Sequence, residues 1–235
     1  MKTLGLIGGT SWVSTIEYYR IINQQINKRL GGLNSAKILL YSVNQEQLKP
    51  PTDPNEWIQA AEFFSGIAKR LESAGAECIL LCANTPHIAA DQVQNNIGIP
   101  LIHIADATAK AVVKRNLRTI GLLGTGLTME HPFYKDRLAK FGITTIVPEK
   151  SQRGYIHGTI MTELEKAILE DGTRKKYLEI IGSLVQKGAE GIILGCTEIP
   201  LLIKQSDCSV PVFDTTEIHA MAAVEFALSN EGLKV

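Results

Sequence analysis

Short apolar runs rich in β-formers alternate along the chain with longer stretches in which apolar residues recur at helical spacing. KTLGLIG at 2–8 is followed by STIEYYRIINQQINKRL at 14–30, then AKILLYSV at 36–43, EWIQAAEFFSGIAKRLESAG at 56–75 and ECILLCA at 77–83. IPLIHIAD, a helix from about 107, RTIGLLG at 118–124, a helix near 130–140 and ITTIVP continue the alternation. Two helical stretches between 152 and 187 then lead to EGIILGC and VPVFD. This rhythm predicts an α/β fold of mostly parallel sheets with helices on both faces. Ligands of such folds bind outside the carboxyl ends of the strands, so chemistry is expected where the apolar runs stop.

The pattern occurs twice. KTLGLIGG at 2 matches RTIGLLGT at 118, GAECILLCANT at 75 matches GAEGIILGCTE at 188, and IPLI at 99 answers VPVF at 210. The offsets drift from 116 through 113 to 111, which predicts two homologous halves separated by small deletions. The expected division is 1–98 plus 212–235 as a first α/β lobe and 99–211 as a second, with the active site in the cleft of two pseudo-symmetric lobes. Pairing Gly75 with Gly188 aligns Cys82 with Gly195 and Ala83 with Cys196, so the first-half cysteine is one residue out of register. Side chains alternate along a strand, so Cys82 is expected on the opposite face unless the chain has already left the strand there.

Charge narrows the partners. Twenty-four Lys and Arg balance twenty-four Asp and Glu, without a run of like charge, so neither nucleic acid nor an acidic surface is called for. The apolar runs fall far short of the roughly twenty residues that cross a bilayer. The glycine-broken start MKTLGLIGGTSW is a poor signal peptide, and the expected location is cytoplasmic. Four cysteines at 78, 82, 196 and 208 form neither a disulfide framework nor a zinc pattern, and the five histidines show no metal spacing.

Cys82 and Cys196 each stand near a strand end, before AlaAsnThr and before ThrGlu. Moving a proton from one face of a carbon to the other needs a base and an acid on opposite sides, and a duplicated fold supplies two such positions. A thiol serves either role if donors, a helix N-terminus or a cation stabilise its thiolate. Asn84, Thr85 and Thr197 provide hydroxyl and amide groups at what should be helix starts, where anions are favoured.

GLIGGTSWVSTIEYYR, CANTPH and LGCTEIP together resemble the cofactor-independent aspartate/glutamate racemase family, over nearly the whole length. The resemblance implies a dimer in many members and racemisation of a small acidic amino acid without pyridoxal phosphate or metal. In that family a cysteine, or in some members threonine, directly precedes Asn-Thr; Ala83 stands there in this chain.

Cys196 is thus the expected proton carrier, and Cys82 is either a second carrier or a core thiol; Cys78 and Cys208 are structural. Thr10 and Ser11, Ala83, Asn84 and Thr85, and Thr197 are the expected substrate contacts, with Thr85 alternatively a helix cap. Glu198 either caps a helix or holds the substrate ammonium, and Thr125 either joins the site or belongs to an ordinary turn. Asn44 and Gln47 are weaker candidates for side-chain selection. Lys166 resembles the region that brings a cation to the distal carboxylate in some members, against a plain solvated face. His87 and His157 are read as capping or core residues. GGTSW does not give the dinucleotide-binding GxGxxG pattern. Two further readings stand beside a racemase: a single-cysteine decarboxylase of the arylmalonate type and a non-catalytic binder of an acidic metabolite.

Overall fold

The computed structural model describes residues 1–48 and 54–229, apart from the side chains of Gln47 and of residues 54–57. Its elements in chain order begin β1 (Leu4–Gly8), α1 (Trp12–Leu30), β2 (Ile38–Ser42), α2 (Pro54–Ser73), β3 (Cys78–Leu81) and α3 (Ala90–Asn95). They continue α4 (Ile104–Lys114), β4 (Thr119–Gly124), α5 (Gly126–Glu130), α6 (Pro132–Ala139), β5 (Thr144–Ile146) and α7 (Lys150–Thr162). The last are α8 (Asp171–Gln186), β6 (Gly191–Gly195), α9 (Ile199–Leu202), β7 (Val212–Asp214) and α10 (Thr215–Leu228).

The chain forms two compact units, residues 1–103 with 219–235 and residues 104–218. The crossings therefore fall at 103/104 and 218/219, slightly later than the 98/99 and 211/212 read from the repeat. Unit 1 has a parallel sheet in the order β2-β1-β3, and unit 2 a parallel sheet in the order β5-β4-β6-β7. IPLIHIAD does not form the strand its composition suggests. Only a parallel bridge between Ile79 and Leu101 forms, bounded by Pro100, which has no N–H to give, and by the start of α4 at Ile104.

The two sheets carry the same register. Leu4 pairs with Cys78 in unit 1 and Ile120 with Gly191 in unit 2; Ile79 bridges Leu101, and Ile192 pairs with Val212. These are the offsets of 116, 113 and 111 already present in the sequence, now expressed as hydrogen-bonded partners.

Both faces of each sheet are covered, which is why the strands read as nearly continuous apolar runs. On β3, Cys78 and Leu80 join Leu4, Leu6 and the α1 residues Tyr18, Ile22 and Ile26, while Ile79 and Leu81 face Ala61, Phe64 and Ile67 of α2. On β6, Ile192 and Leu194 pack against Ile156 and Ile160 of α7 and Tyr177, Ile180 and Leu184 of α8. Ile193 takes the other face, against α4 and α6. Each fully buried aliphatic side chain contributes about 1.5–3 kcal/mol, so the two-sided burial fixes the strand register strongly.

The turn after β1 depends on Gly9. It adopts φ +83°, its N–H donates to Thr15 Oγ1 at 2.9 Å, and a Cβ there would lie 2.1 Å from the Val43 carbonyl oxygen. Left-handed backbone and backbone contact together leave room only for glycine. Gly9→Ala is therefore expected to destabilise unit 1 by about 2–4 kcal/mol, read as a lower urea midpoint at unchanged slope.

Candidate functional site

In unit 2 the buried strand β6 delivers Cys196 immediately past its last residue, and the side chain stays on the Ile192–Leu194 face with 5 % exposure. A 3.0 Å contact carries the Cys196 thiol to Glu198 Oε2, and the Thr197 hydroxyl donates to the same oxygen at 3.0 Å. Glu198 is buried, and among the described residues its other oxygen, Oε1, has no hydrogen-bond partner. The Glu198 side chain makes no capping bond to α9, which removes the capping alternative. A buried acceptor left unmatched costs about 1–3 kcal/mol, a penalty that a donor from a bound molecule would remove.

Burial, and then the Glu198 carboxylate beside it, hold the Cys196 thiol well above the ordinary cysteine range; Glu165 adds a smaller push in the same direction. At neutral pH this cysteine is held as the thiol rather than as a standing thiolate. Glu165 belongs to a 3-10 turn at Leu164–Lys166, and nothing in the sequence pointed to it. Lys166 of the same turn is exposed, as a solvated face would be.

The neighbouring strand β4 ends at Gly124, paired with Gly195. A Cβ on Gly195 would sit 2.7 Å from the Leu123 carbonyl oxygen, so the backbones approach too closely for any side chain. Thr125 then caps α5, accepting from the Thr128 N–H at 3.3 Å, so it performs the ordinary turn role. His157 is exposed on α7, with Nδ1 accepting from the Gly126 N–H at 3.4 Å.

In unit 1, β3 ends at Leu81, yet the Cys82 N–H still donates to the Ile7 carbonyl at 2.9 Å. Alternation consequently persists, and Cys82 lies with Cys78 and Leu80 in the core formed by Leu4, Leu6, Tyr18 and Ala223. It is fully buried, and burial alone pushes its thiol up. The reading of Cys82 as a carrier is therefore corrected: the one-residue shift turns it into the core, and Ala83 occupies the position that corresponds to Cys196. Cys78 is buried as well, its thiol pushed up to about 12 by burial, and Cys208 is half-buried.

Around Ala83 the polar candidates gather at the strand ends of unit 1. Asn84 is buried and starts a 3-10 turn at Thr85–Ala89, so Thr85 lies inside the turn rather than at its cap. Ser11 is buried as the cap of α1, with Oγ accepting from Ser14 N–H and its carbonyl accepting from the Ser14 and Thr15 hydroxyls. Thr10 Oγ1 is buried without a hydrogen-bond partner. Asn44 is exposed and caps a short turn through Glu46 N–H, whereas the Gln47 side chain and residues 49–53 lie outside the described residues.

The sequence reading missed a buried cluster of rings in this unit. His87 is no isolated core histidine: its ring packs edge-on against His103 at 4.6 Å and His219 at 5.4 Å, and Nδ1 lies 2.8 Å from the Ala83 carbonyl oxygen. His219 Nε2 lies 2.7 Å from the Ile102 carbonyl oxygen and Nδ1 2.7 Å from the Tyr18 hydroxyl. The signal available was the four-residue spacing from Ala83 to His87; His103 and His219 are far apart in sequence. Among the described residues no group of His, Cys, Asp and Glu is arranged to hold a metal, and no helix is long and apolar enough to cross a membrane.

A duplicated parallel α/β fold with a Cys-Thr-Glu strand end defines the class of two-lobed α/β racemases. The family model for Asp/Glu/hydantoin racemases matches residues 7–223, and the chain belongs to that family. A crystal structure of a candidate Asp/Glu racemase from Yersinia pestis is 49 % identical, covers 97 % of this chain and 100 % of its own, and superposes with a TM-score of 0.91. An aspartate racemase homologue from Pyrococcus horikoshii is 36 % identical with the same coverage and a TM-score of 0.86. The broad-specificity amino-acid racemase RacX of Bacillus subtilis is 22 % identical over 97 % of this chain and 99 % of its own. The chain is accordingly an isomerase of the racemase type.

Replacing Glu198 by Gln removes a neighbour that raises the Cys196 thiol. Cys196 is then expected to be alkylated by iodoacetamide roughly tenfold faster at a fixed pH near 8, with its pH midpoint shifted down, read by mass spectrometry of the Cys196 peptide.

Burial lowers His219 from 6.5 to about 4. Its folded-state value is depressed, so the stability it confers is full above about 6.5 and is lost as pH falls toward 4, by about 3 kcal/mol. Urea unfolding at pH 7 and pH 4 is expected to show a smaller loss in His219→Gln than in the parent chain.

Proposed function

We propose that the protein racemises a small acidic amino acid, aspartate or glutamate, without a cofactor, with Cys196 exchanging the α-proton on one face. The observation that carries this reading is the buried Cys196–Glu198–Thr197 group at the end of β6, with Glu198 Oε1 unmatched. A substrate ammonium donates to such an oxygen, and the thiol beside it is held protonated, ready to deliver its proton to an α-carbanion. In the same unit Lys166 offers a cation for the distal carboxylate. Similarity to an aspartate racemase homologue and to a broad-specificity racemase favours an amino-acid substrate. A homodimer in the cytoplasm, without nucleic-acid or membrane partners, goes with this reading. The single-thiol decarboxylase is disfavoured by the buried Glu198 carboxylate in contact with the thiol, and nothing favours a pure binder.

Proton NMR in D2O with L- and D-aspartate and L- and D-glutamate tests the reading. The α-proton signal of at least one of the four is expected to disappear, and Cys196→Ala to slow that loss by about 10²–10⁴-fold. Retention of the α-proton in all four would sink the proposal.

A further inference from the structure

The edge of the unit 2 sheet carries a groove that does not include the Cys196–Thr197–Glu198 group. β7 is the last strand of that sheet. Phe213 of β7 packs with Ile193 on the face covered by α4, whereas α9 packs with Ile192 and Leu194 on the other face, so α4 and α9 flank the open side of β7. Between them lies a cavity of about 680 Å³, within the range of roughly 300–1,000 Å³ typical of small-molecule clefts. Leu194, Ile203 and Phe213 give it an apolar floor, and Lys114, Arg115, Lys204, Asp214 and Glu217 bring charge to it.

A strand from another chain does not suit this edge. The Val212 N–H already donates to Gln205 Oε1 at 2.9 Å, and Gln205 Nε2 donates to the Val210 carbonyl at 3.0 Å. Gln94 clamps the corresponding edge of unit 1 in the same way, on the Leu101 N–H and the Ile99 carbonyl. The charged side chains are less committed. Among the described residues Lys114, Arg115 and Lys204 make no ion pair; the Arg115 guanidinium stands 5.6 Å from the centre of the Phe213 ring, and Lys204 Nζ donates to the Pro200 carbonyl. Asp214 is half-buried, and its Oδ1 accepts from the Thr216 and Glu217 N–H groups at 2.8 and 3.1 Å. Burial pushes this carboxyl above its ordinary range. Three cations call for a multiply charged anion, the two carboxyls beside them for hydroxyl donors, and the apolar floor for a flat, weakly polar body. Inorganic phosphate or a free amino acid supplies only part of this set and fills a fraction of the volume.

We propose that the groove between α4 and α9 is a binding site for a nucleoside phosphate. The phosphate lies on Lys114, Arg115 and Lys204, the ribose hydroxyls donate toward Asp214 and Glu217, and the base covers Leu194, Ile203 and Phe213. The site is built wholly from unit 2.

Isothermal titration calorimetry of the full chain with adenosine monophosphate as the probe tests the assignment. Saturable binding is expected, with adenosine and inorganic phosphate each weaker by about tenfold or more. Lys114→Gln/Arg115→Gln on one wall and Lys204→Gln on the other replace exposed residues, and each is expected to weaken the nucleotide by about tenfold or more. Lys28→Gln/Lys175→Gln removes two exposed charges outside the groove and is expected to change affinity by less than about twofold. Absence of saturable binding in the parent chain overturns the inference. Inorganic phosphate bound as tightly as the nucleotide also overturns it, since the groove is then a plain anion site. Unchanged affinity in the groove variants, or equal weakening in the Lys28/Lys175 variant, does the same by placing the nucleotide elsewhere or on diffuse charge.

Discussion

The close backbone approach of β4 and β6 at Gly124 and Gly195 is the constraint on which the placement of Cys196 depends. No side chain fits at Gly195, so the first side chain past the strand is the next one, Cys196, on the face set by Ile192 and Leu194. Two-sided burial of β6 holds that register, because a slip of one residue would exchange every buried side chain for its neighbour. From there the chain turns at once, and Thr197 and Glu198 fold back on the thiol. The same parallel ladder therefore supplies a rigid support and a sharp stop, which together hold the Cys196 side chain in one place.

Unit 1 repeats the ladder without repeating the constraint. Where unit 2 has Gly195, unit 1 has Cys82, whose side chain finds room among Leu4, Leu6 and Ala223. The duplication thus preserves the geometry of the strand end and changes its contents. A thiol one position early is not a displaced version of Cys196, because the alternation of the strand converts a one-residue shift into a change of face. What unit 1 retains at the corresponding position is a carbonyl, that of Ala83, which accepts from a buried imidazole.

Much of this was legible in the sequence. The alternation of runs fixed the fold class, and the drifting offsets of the repeat reappear as paired residues in the two sheets. Cys196, Thr197 and Glu198 were visible as a strand-end motif, and the displaced Cys82 followed from alignment of the halves. IPLIHIAD was misread as a strand because composition does not show that Pro100 and the start of α4 leave space for only one bridge. The His87–His103–His219–Tyr18 cluster was illegible for a different reason. Its members come from α1, the turn after β3, the segment before α4, and α10, so only the fold brings them together. Glu165 escaped notice likewise, since its effect on Cys196 depends on the placement of a turn distant in sequence.

The two strand ends differ most in how their polar groups are satisfied. Ser11 and Thr125 use their hydroxyls to cap helices, and His219 has a partner on each nitrogen. Glu198 Oε1 and Thr10 Oγ1 are buried with nothing to bond. Buried polar groups are nearly always matched, and each exception costs about 1–3 kcal/mol. Among the described residues the Ser65, Thr145 and Thr216 hydroxyls and Arg174 Nε are unmatched as well; Glu198 Oε1 lies just past β6 and Thr10 Oγ1 just past β1, one an oxygen that only accepts and the other a hydroxyl that also donates. A donor brought to the Glu198 oxygen would recover part of that cost. The Glu198 carboxyl is also the group that, after burial itself, does most to hold the Cys196 thiol above its ordinary range. A positive charge placed beside it would weaken that hold, so the oxygen atoms that can accept from a cation are the ones that set the proton affinity of the thiol.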